Sequence, residues 1–349
     1  MTDAPRSPRI RPPSDEVLTA AHDRLAGLAT PAGALGRLGD VGAWLAATQG
    51  EVPPRPLDDV RLVVFAGDHG VAAHGVSAYP AAVTEAMVRT IVSGRAGVSA
   101  LAREHGVRVI VLDIAVDADL SDLPHEVTCL KVRRGSGAIH LEDALSPDET
   151  TRAIAVGRAV ARDLIASGAQ LLMTGDLGIG NTTPAAALVA AALGLPADEV
   201  TGRGTGIDDA GWSRKRHVIA QALVRVGDRV SDPVDALTAL GSADLAAAVG
   251  FLLEASERGV PVLLDGLMSL ACALSADRIA PGTSAWWIAG HRSTEPAQAH
   301  ALKALGLEPL LDLGMRLGEG SGAVAALPML RSGIALMRDV ALLSEVLPG

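Results

Sequence analysis

Glycine-rich loops carry the residues with the clearest chemical potential. The segment TGDLGIGNTT joins an apolar strand pattern to an alanine-rich helix pattern and presents Asp176, Asn181 and Thr182. Backbone N–H groups just before a helix, such as those of Gly178 and Gly180, favour an anion because they point along the positive end of the helix dipole. We therefore predict that this loop binds the phosphate and ribose of a nucleotide.

A second loop, GRGTGID (202–208), offers further N–H groups at Gly204 and Gly206, and Lys215 in the following helix pattern is a candidate phosphate contact. The first loop does not fit the dinucleotide fingerprint, because Thr183 stands where the third glycine belongs. There is also no Walker lysine. A mononucleotide is the predicted ligand.

Glu319 is the carboxylate whose surroundings best suit a general base. It lies in LGEGSG, between two glycines and just before a helix pattern. Glycine neighbours let a ligand and the backbone approach closely, and partial desolvation raises the pKa of a carboxyl group towards the working range of a base. A second interpretation stays open, in which Glu319 only favours the dipole of the helix that follows it.

The pattern of the elements that position these loops predicts a doubly wound α/β domain. Apolar runs without polar alternation are typical of parallel strands buried on both faces. They occur at 61–67, 107–114, 170–175, 260–266 and 284–290, with a weaker sixth at 309–314. In such sheets ligands bind beyond the carboxyl ends of the strands, which is where the polar loops lie.

The two ends of the chain have a different pattern. Residues 14–50 and 306–349 show helical periodicity and no strong strand, with two helices expected near each end. We predict that they form a small helical domain beside a large domain over 51–305. Residues 1–13, rich in proline and arginine, are predicted to be a disordered tail.

Composition narrows the class of function. The formal charge of −10 and an aromatic content of 2% predict no nucleic-acid partner. No apolar run reaches the roughly 18 residues of a membrane span. Two cysteines without close-spaced partners predict a cytoplasmic protein without structural zinc. His69, His74 and His291 lack the spacing of a metal site, so no metal or cofactor is predicted.

Seven motifs occur in an order that resembles one family. They are FAGDHGV (65–71), GVSAYP (75–80), TGDLGIGNTT (174–183), GRGTGID (202–208), VLLDG (262–266), STEP (293–296) and LLDLGMRLGEGSGA (310–323). This set closely resembles the nicotinate-nucleotide–dimethylbenzimidazole phosphoribosyltransferases, which act in cobalamin synthesis. The resemblance extends over about residues 15–345.

The resemblance implies a homodimer with a Rossmann-like parallel sheet and a helical domain built from both chain ends. It also implies transfer of a phosphoribosyl group from nicotinate mononucleotide to dimethylbenzimidazole, with inversion and without a cofactor. The family's functional residues carry over to several positions here. They are Glu319 as the base, Gly178, Gly204, Gly206, Ser293 and Lys215 around the phosphate, and Ser77 and Tyr79 near the aromatic base.

Three positions depart from the family pattern. Asp176 stands in place of a glutamate, Glu85 in place of a glutamine that binds the base, and TPAG at 30–33 lacks a lysine. Glu85 in the base pocket would allow another acceptor, such as adenine or an unsubstituted benzimidazole. Two interpretations from other classes are an NAD-dependent oxidoreductase, which the missing fingerprint disfavours, and a non-catalytic nucleotide-binding regulator, which would not need Glu319.

Overall fold

The fold is known from a computed structural model, which describes residues 10–347. Its centre is a sheet of five parallel strands. The strands are β1 (Val60–Gly67), β2 (Arg108–Ala115), β3 (Leu171–Leu177), β4 (Val262–Leu264) and β5 (Trp287–Ala289). Their order is β2-β1-β3-β4-β5. This order reverses direction between β1 and β3, so a crevice for ligands opens at their carboxyl ends.

Helices cover both faces of this sheet, as predicted for a doubly wound α/β fold. Those among residues 10–347 are α1 (Asp15–Ala26), α2 (Gly36–Gln49), α3 (Ala82–Val92), α4 (Gly97–Glu104), α5 (His125–Thr128), α6 (Pro147–Ala166), α7 (Thr182–Leu193), α8 (Ala197–Val200), α9 (Asp209–Val226), α10 (Pro233–Leu240), α11 (Ala243–Glu257), α12 (Leu267–Ile279), α13 (Pro296–Leu305), α14 (Ser321–Asp339) and α15 (Leu343–Val346). Short 3-10 turns lie at Gly70–His74, Gly227–Ser231 and Thr283–Trp286. Within the described part of the chain, no helix has the length and apolarity needed to cross a membrane.

Strand β1 explains why the strand patterns lacked polar alternation. All eight of its residues are buried. Val63 and Phe65 pack into the core on one face, and Leu62 and Val64 into the core on the other. Because successive side chains of a strand point to opposite faces, both faces must be apolar when helices cover both.

The predicted sixth strand at 309–314 is wrong. Leu311 forms only an isolated bridge with His291, and the N–H of Leu310 donates to the carbonyl of Ala289 at 3.0 Å. Strand β5 is three residues long, so it offers little backbone for a further ladder. The chain then turns outward, and Leu313 is 67% exposed.

The helices near the two ends of the chain pack together. Helices α1 and α14 both contact α2. Two helices were predicted here, at 321–330 and 334–347, but α14 runs without a break from Ser321 to Asp339. Gly333 lies inside this helix, where the absence of a Cβ allows the backbone of α2 at Leu38 and Gly42 to come close. The division into a small helical domain and a large domain over 51–305 stays a prediction.

The tail predicted over residues 1–13 falls mostly outside the described residues. The four described ones differ from the prediction, since Ile10 is buried and the carbonyl of Arg11 accepts a hydrogen bond from Nε1 of Trp286 at 2.9 Å. The buried side chain of Ile10 and the hydrogen bond from Trp286 hold this stretch against the core.

Candidate active site

A cavity of about 410 Å³ opens beyond the carboxyl ends of β3 and β4. It is bounded by the loops after β3, β4 and β5, by the loop before α9 and by the loop before α14. The predicted site residues that line it are Tyr79, Asp176, Gly178, Asn181, Thr182, Gly204, Ser293 and Glu319. The structure therefore brings together residues from five separate parts of the sequence.

Glu319 lines the cavity, with 5% of its surface exposed. Among residues 10–347 it is the only non-glycine residue with a positive φ, at 63°. Its Oε2 accepts a hydrogen bond from the N–H of Val98 at 3.2 Å, at the start of α4. Burial raises the pKa of Glu319, the Val98 N–H opposes this, and the charge of Asp265 raises the pKa further. These are the surroundings of a carboxylate poised to take a proton.

Asp265 and His291 support the loop of Glu319 and were not among the predicted site residues. Asp265 accepts hydrogen bonds from backbone N–H groups at the start of α14. His291 Nε2 lies 3.4 Å from Oδ1 of Asp265, and Gly322 has no side chain because a Cβ there would overlap the imidazole. The sequence signal that could have identified Asp265 and His291 is their position just after the carboxyl ends of two strands.

The two glycine-rich loops are joined behind the cavity. Lys215 is fully buried, and its Nζ donates to Oγ1 of Thr182 at 2.8 Å and to the carbonyl of Gly202 at 3.2 Å. Oε1 of Glu295 accepts from the N–H of Gly204 at 2.8 Å. Burial lowers the pKa of Lys215, whereas the carboxylate of Glu295 raises it. The lysine does not line the cavity, so it fixes the loops from behind.

Asp176 is buried beside this cavity. Its Oδ1 accepts a hydrogen bond from the side-chain amide of Asn181. Burial raises the pKa of Asp176 well above its ordinary value, and the neighbouring carboxylate of Asp244 raises it further. Two buried carboxylates that face each other cannot both ionise at low cost. Asp176 is thus suited to hold a proton and to donate a hydrogen bond.

Part of the cavity lining is apolar. Val83 and Met87 line it from α3, Leu177 from the end of β3 and Leu317 from the loop before α14. Tyr79 lies at the mouth with 56% of its surface exposed. Flat aromatic ligands fit between apolar walls of this kind. Among the described residues, no three His, Cys, Asp or Glu side chains come together in a way that could hold a metal ion.

Comparison with known proteins decides the family. A family model described as a phosphoribosyltransferase matches residues 10–346. A protein of Mycobacterium avium (strain 104), named nicotinate-nucleotide–dimethylbenzimidazole phosphoribosyltransferase, is 51% identical over 336 residues, which are 96% of either chain. One of Mycobacterium marinum (strain ATCC BAA-535 / M) with the same name is 52% identical over 93% of this chain and 90% of its own.

The chain belongs to this phosphoribosyltransferase family. A solved structure supports the assignment at the level of the fold. CobT from Thermus thermophilus matches with a TM-score of 0.90 and 44% identity, over 95% of this chain and 98% of that chain.

Besides Lys215, four predicted site residues of this phosphoribosyltransferase do not line the cavity. Gly180 turns the chain before α7 with a φ of 91°. Gly206 lies beside the guanidinium of Arg316, which does line the cavity. Oγ of Ser77 lies 3.2 Å from Oγ1 of Thr205, another lining residue. Gly206 and Ser77 therefore do not line the cavity themselves, but each lies next to a residue that does.

The fourth, Glu85, contradicts the prediction that it enters the base pocket. Its Oε1 accepts from Nη2 of Arg89 at 3.0 Å, and Arg89 also binds Asp122. Residues at positions i and i+4 of a helix share a face, and Val83 and Met87 take the face that looks into the cavity. Glu85, two residues from each, is on the far side of α3 and lines a separate groove.

Proposed function

We propose that this protein transfers the phosphoribosyl group of nicotinate mononucleotide to dimethylbenzimidazole, giving α-ribazole 5′-phosphate and nicotinate. The relatives carry this activity in their names. The observation in the chain itself that carries the proposal is the buried carboxylate of Glu319, which shares one cavity with an apolar wall and with two glycine-rich loops.

The nucleotide is proposed to bind with its phosphate towards the start of α7. Asn181 and Thr182 begin this helix, and the loop of Gly204 and the side chain of Ser293 approach from the other side. The positive end of a helix dipole and hydroxyl groups that can donate a hydrogen bond suit a phosphate. Arg316 lies at the same rim and adds a fixed positive charge.

The chemistry requires one proton acceptor. Nicotinate leaves as a neutral ring nitrogen from a pyridinium, so its departure needs no acid. One ring nitrogen of the benzimidazole attacks the anomeric carbon, and the other nitrogen loses its proton to Glu319. Attack on the face opposite to the leaving nicotinate inverts the configuration and gives the α linkage. The remaining rate enhancement comes from holding two substrates in line.

The acceptor is dimethylbenzimidazole in this proposal, and adenine or another benzimidazole is the alternative. The alternative rested on Glu85 in the base pocket, and its side chain lies elsewhere. We also propose that the protein acts as a homodimer in the cytoplasm. The exposed apolar side chains of Tyr79 and Leu317 at the mouth of the cavity support a second copy nearby.

Replacing Glu319 by Gln tests the role of the base. The substitution keeps the shape of the side chain and removes its ability to accept a full proton. Turnover of nicotinate mononucleotide with dimethylbenzimidazole should fall by about 10²–10⁴-fold, while calorimetric binding of nicotinate mononucleotide stays near that of the wild type. The matched control is Glu295→Gln, which alters a carboxylate at the phosphate end and should weaken nucleotide binding instead. Near-normal turnover of Glu319→Gln would refute the assignment.

A further inference from the structure

The loop of Glu319 is held by a carboxylate from a distant part of the chain. Asp265, which follows β4, accepts with Oδ2 from the N–H of Gly320 at 3.1 Å. Its Oδ1 accepts from Gly322 at 2.7 Å and from Ala323 at 3.0 Å. The first N–H groups of a helix have no partner within the helix, and a buried carboxylate satisfies them while favouring the dipole. Asp265 therefore joins the end of β4 to the residue that follows Glu319.

The same loop is confined from other directions. Glu319 has a backbone conformation that residues other than glycine rarely adopt. Such strain persists only where several surrounding contacts hold the backbone in place. Below it, Gly175 on β3 has no Cβ, because one would overlap the carbonyl oxygen of Glu319. In front, the N–H of Val98 binds Oε2. With Oε2 engaged, Oε1 remains for the substrate.

We propose that Asp265 is a positioning residue of the transfer reaction, which fixes the left-handed backbone at Glu319 and so aims the carboxylate at the acceptor base. The inference rests on the proposed function, since it takes Glu319 as the base. Asp265 also lines the cavity, but both of its carboxylate oxygens accept from backbone N–H groups, so it acts on Glu319 through Gly320 and the first turn of α14. A shift of about 1 Å at a catalytic group is enough to lower a rate by about 10²-fold.

The charge of Asp265 gives the proposal a second readout. Asp265 faces Glu319 from the loop after β4, and His291 faces Asp265 from the loop after β5. Asp176 lines the same cavity and interacts electrostatically with Asp265. The negative charge of Asp265 raises the pKa of Glu319. A base must be deprotonated to act, so activity rises with pH through this pKa. Removing the charge lowers the pKa and shifts the acid limb of kcat to lower pH.

The informative variant is Asp265→Asn. One amide oxygen can still accept from Gly322 and Ala323, so α14 stays capped. The amide NH₂ then faces the N–H of Gly320, and two donors cannot bond to each other. We expect kcat to fall by about 10²-fold, the KM for nicotinate mononucleotide to stay near its wild-type value, and amide hydrogen exchange over 318–321 to become faster. The acid limb should shift to lower pH.

Asp232→Asn is the matched control. Asp232 caps α10 by accepting from the N–H groups of Val234 and Asp235, and it lies outside the cavity. The same chemical change there should leave kcat and the acid limb unaltered. If Asp265→Asn fails to fold, Asp265→Glu replaces it. That variant keeps the charge but moves the carboxylate by one carbon, so kcat should fall without a shift of the limb.

Two results would overturn the inference, and they are distinguishable. A wild-type kcat, acid limb and exchange rate in Asp265→Asn, together with an inactive Glu319→Gln, would remove the positioning role and leave the base in place. An active Glu319→Gln would remove the base itself, and the positioning role with it.

Discussion

At the scale of single residues, the site places acids where they destabilise the protein. Glu319 and Asp176 are both buried, and burial raises the pKa of each. A carboxyl group whose pKa is higher in the folded than in the unfolded state weakens the fold as pH rises from the unfolded value through the folded one. At neutral pH both groups therefore reduce stability. Such a loss is typical of groups retained for chemistry.

Glu85→Gln should leave the choice of acceptor unchanged. The side chain binds Arg89 on the far side of α3 from the cavity. Relative rates with dimethylbenzimidazole, benzimidazole and adenine should match those of the wild type. Met87→Ala, on the face of the same helix that lines the cavity, is the positive control and should raise the KM for the base. A changed preference order in Glu85→Gln would return this residue to the pocket.

The sequence located the loops of the site better than the directions of its side chains. Strand ends and glycine patterns were sufficient to predict that Glu319, Asp176 and Asn181 meet at one cavity, because the topology of a parallel sheet collects such ends at one edge. Glu85 was assigned to the cavity because a motif match does not show which face of a helix a residue occupies. Asp265 was missed as a site residue because its partners are backbone N–H groups about 55 residues further along the chain.

At the scale of elements, the crossing of α2 and α14 holds the helix that follows Glu319. Gly42 and Gly333 let the two backbones come close. The sequence pattern predicted two helices over 321–347, whereas α14 continues through Gly333. The close approach of another helix is a tertiary contact, which local sequence does not reveal. Local sequence likewise could not show that the predicted sixth strand fails to form. Its apolar pattern is present, but the strand next to it, β5, is only three residues long.

Gly333→Ala should destabilise the fold and reduce activity. A Cβ at this position would lie 2.7 Å from the carbonyl oxygen of Leu38 and 3.0 Å from the nitrogen of Gly42. Overpacking of this kind costs about 1–3 kcal/mol, which denaturant unfolding can measure. Gly27→Ala is the control in the same group of helices, since its nearest neighbour would be at an ordinary 3.5 Å. Equal stabilities of the two variants would refute the close crossing.

At the scale of the whole molecule, the described surface presents apolar side chains beside the cavity. Tyr79 and Leu317 are more than half exposed at its mouth, and Leu313 is 67% exposed in the loop that leads towards it. Exposed apolar groups gathered in one region are typical of an interface. This arrangement supports assembly around the site.

We expect a homodimer at micromolar concentration in light scattering and sedimentation experiments. Leu313→Glu should weaken the dimer, because it places a charge in the expected contact. Val224→Glu, which alters an equally apolar side chain that is 84% exposed on α9, should not. A monomer with full activity would refute a shared site.

The most direct test of the central claim is the identity of the product. The protein is incubated with nicotinate mononucleotide and dimethylbenzimidazole in excess chelator, and the products are identified by mass and by the configuration at the anomeric carbon. Our account predicts nicotinate and α-ribazole 5′-phosphate in equal amounts without added metal, because a pyridinium leaving group needs no metal activation. A β-linked product, a strict requirement for magnesium, or no transfer to any base in the panel of dimethylbenzimidazole, benzimidazole and adenine would contradict it.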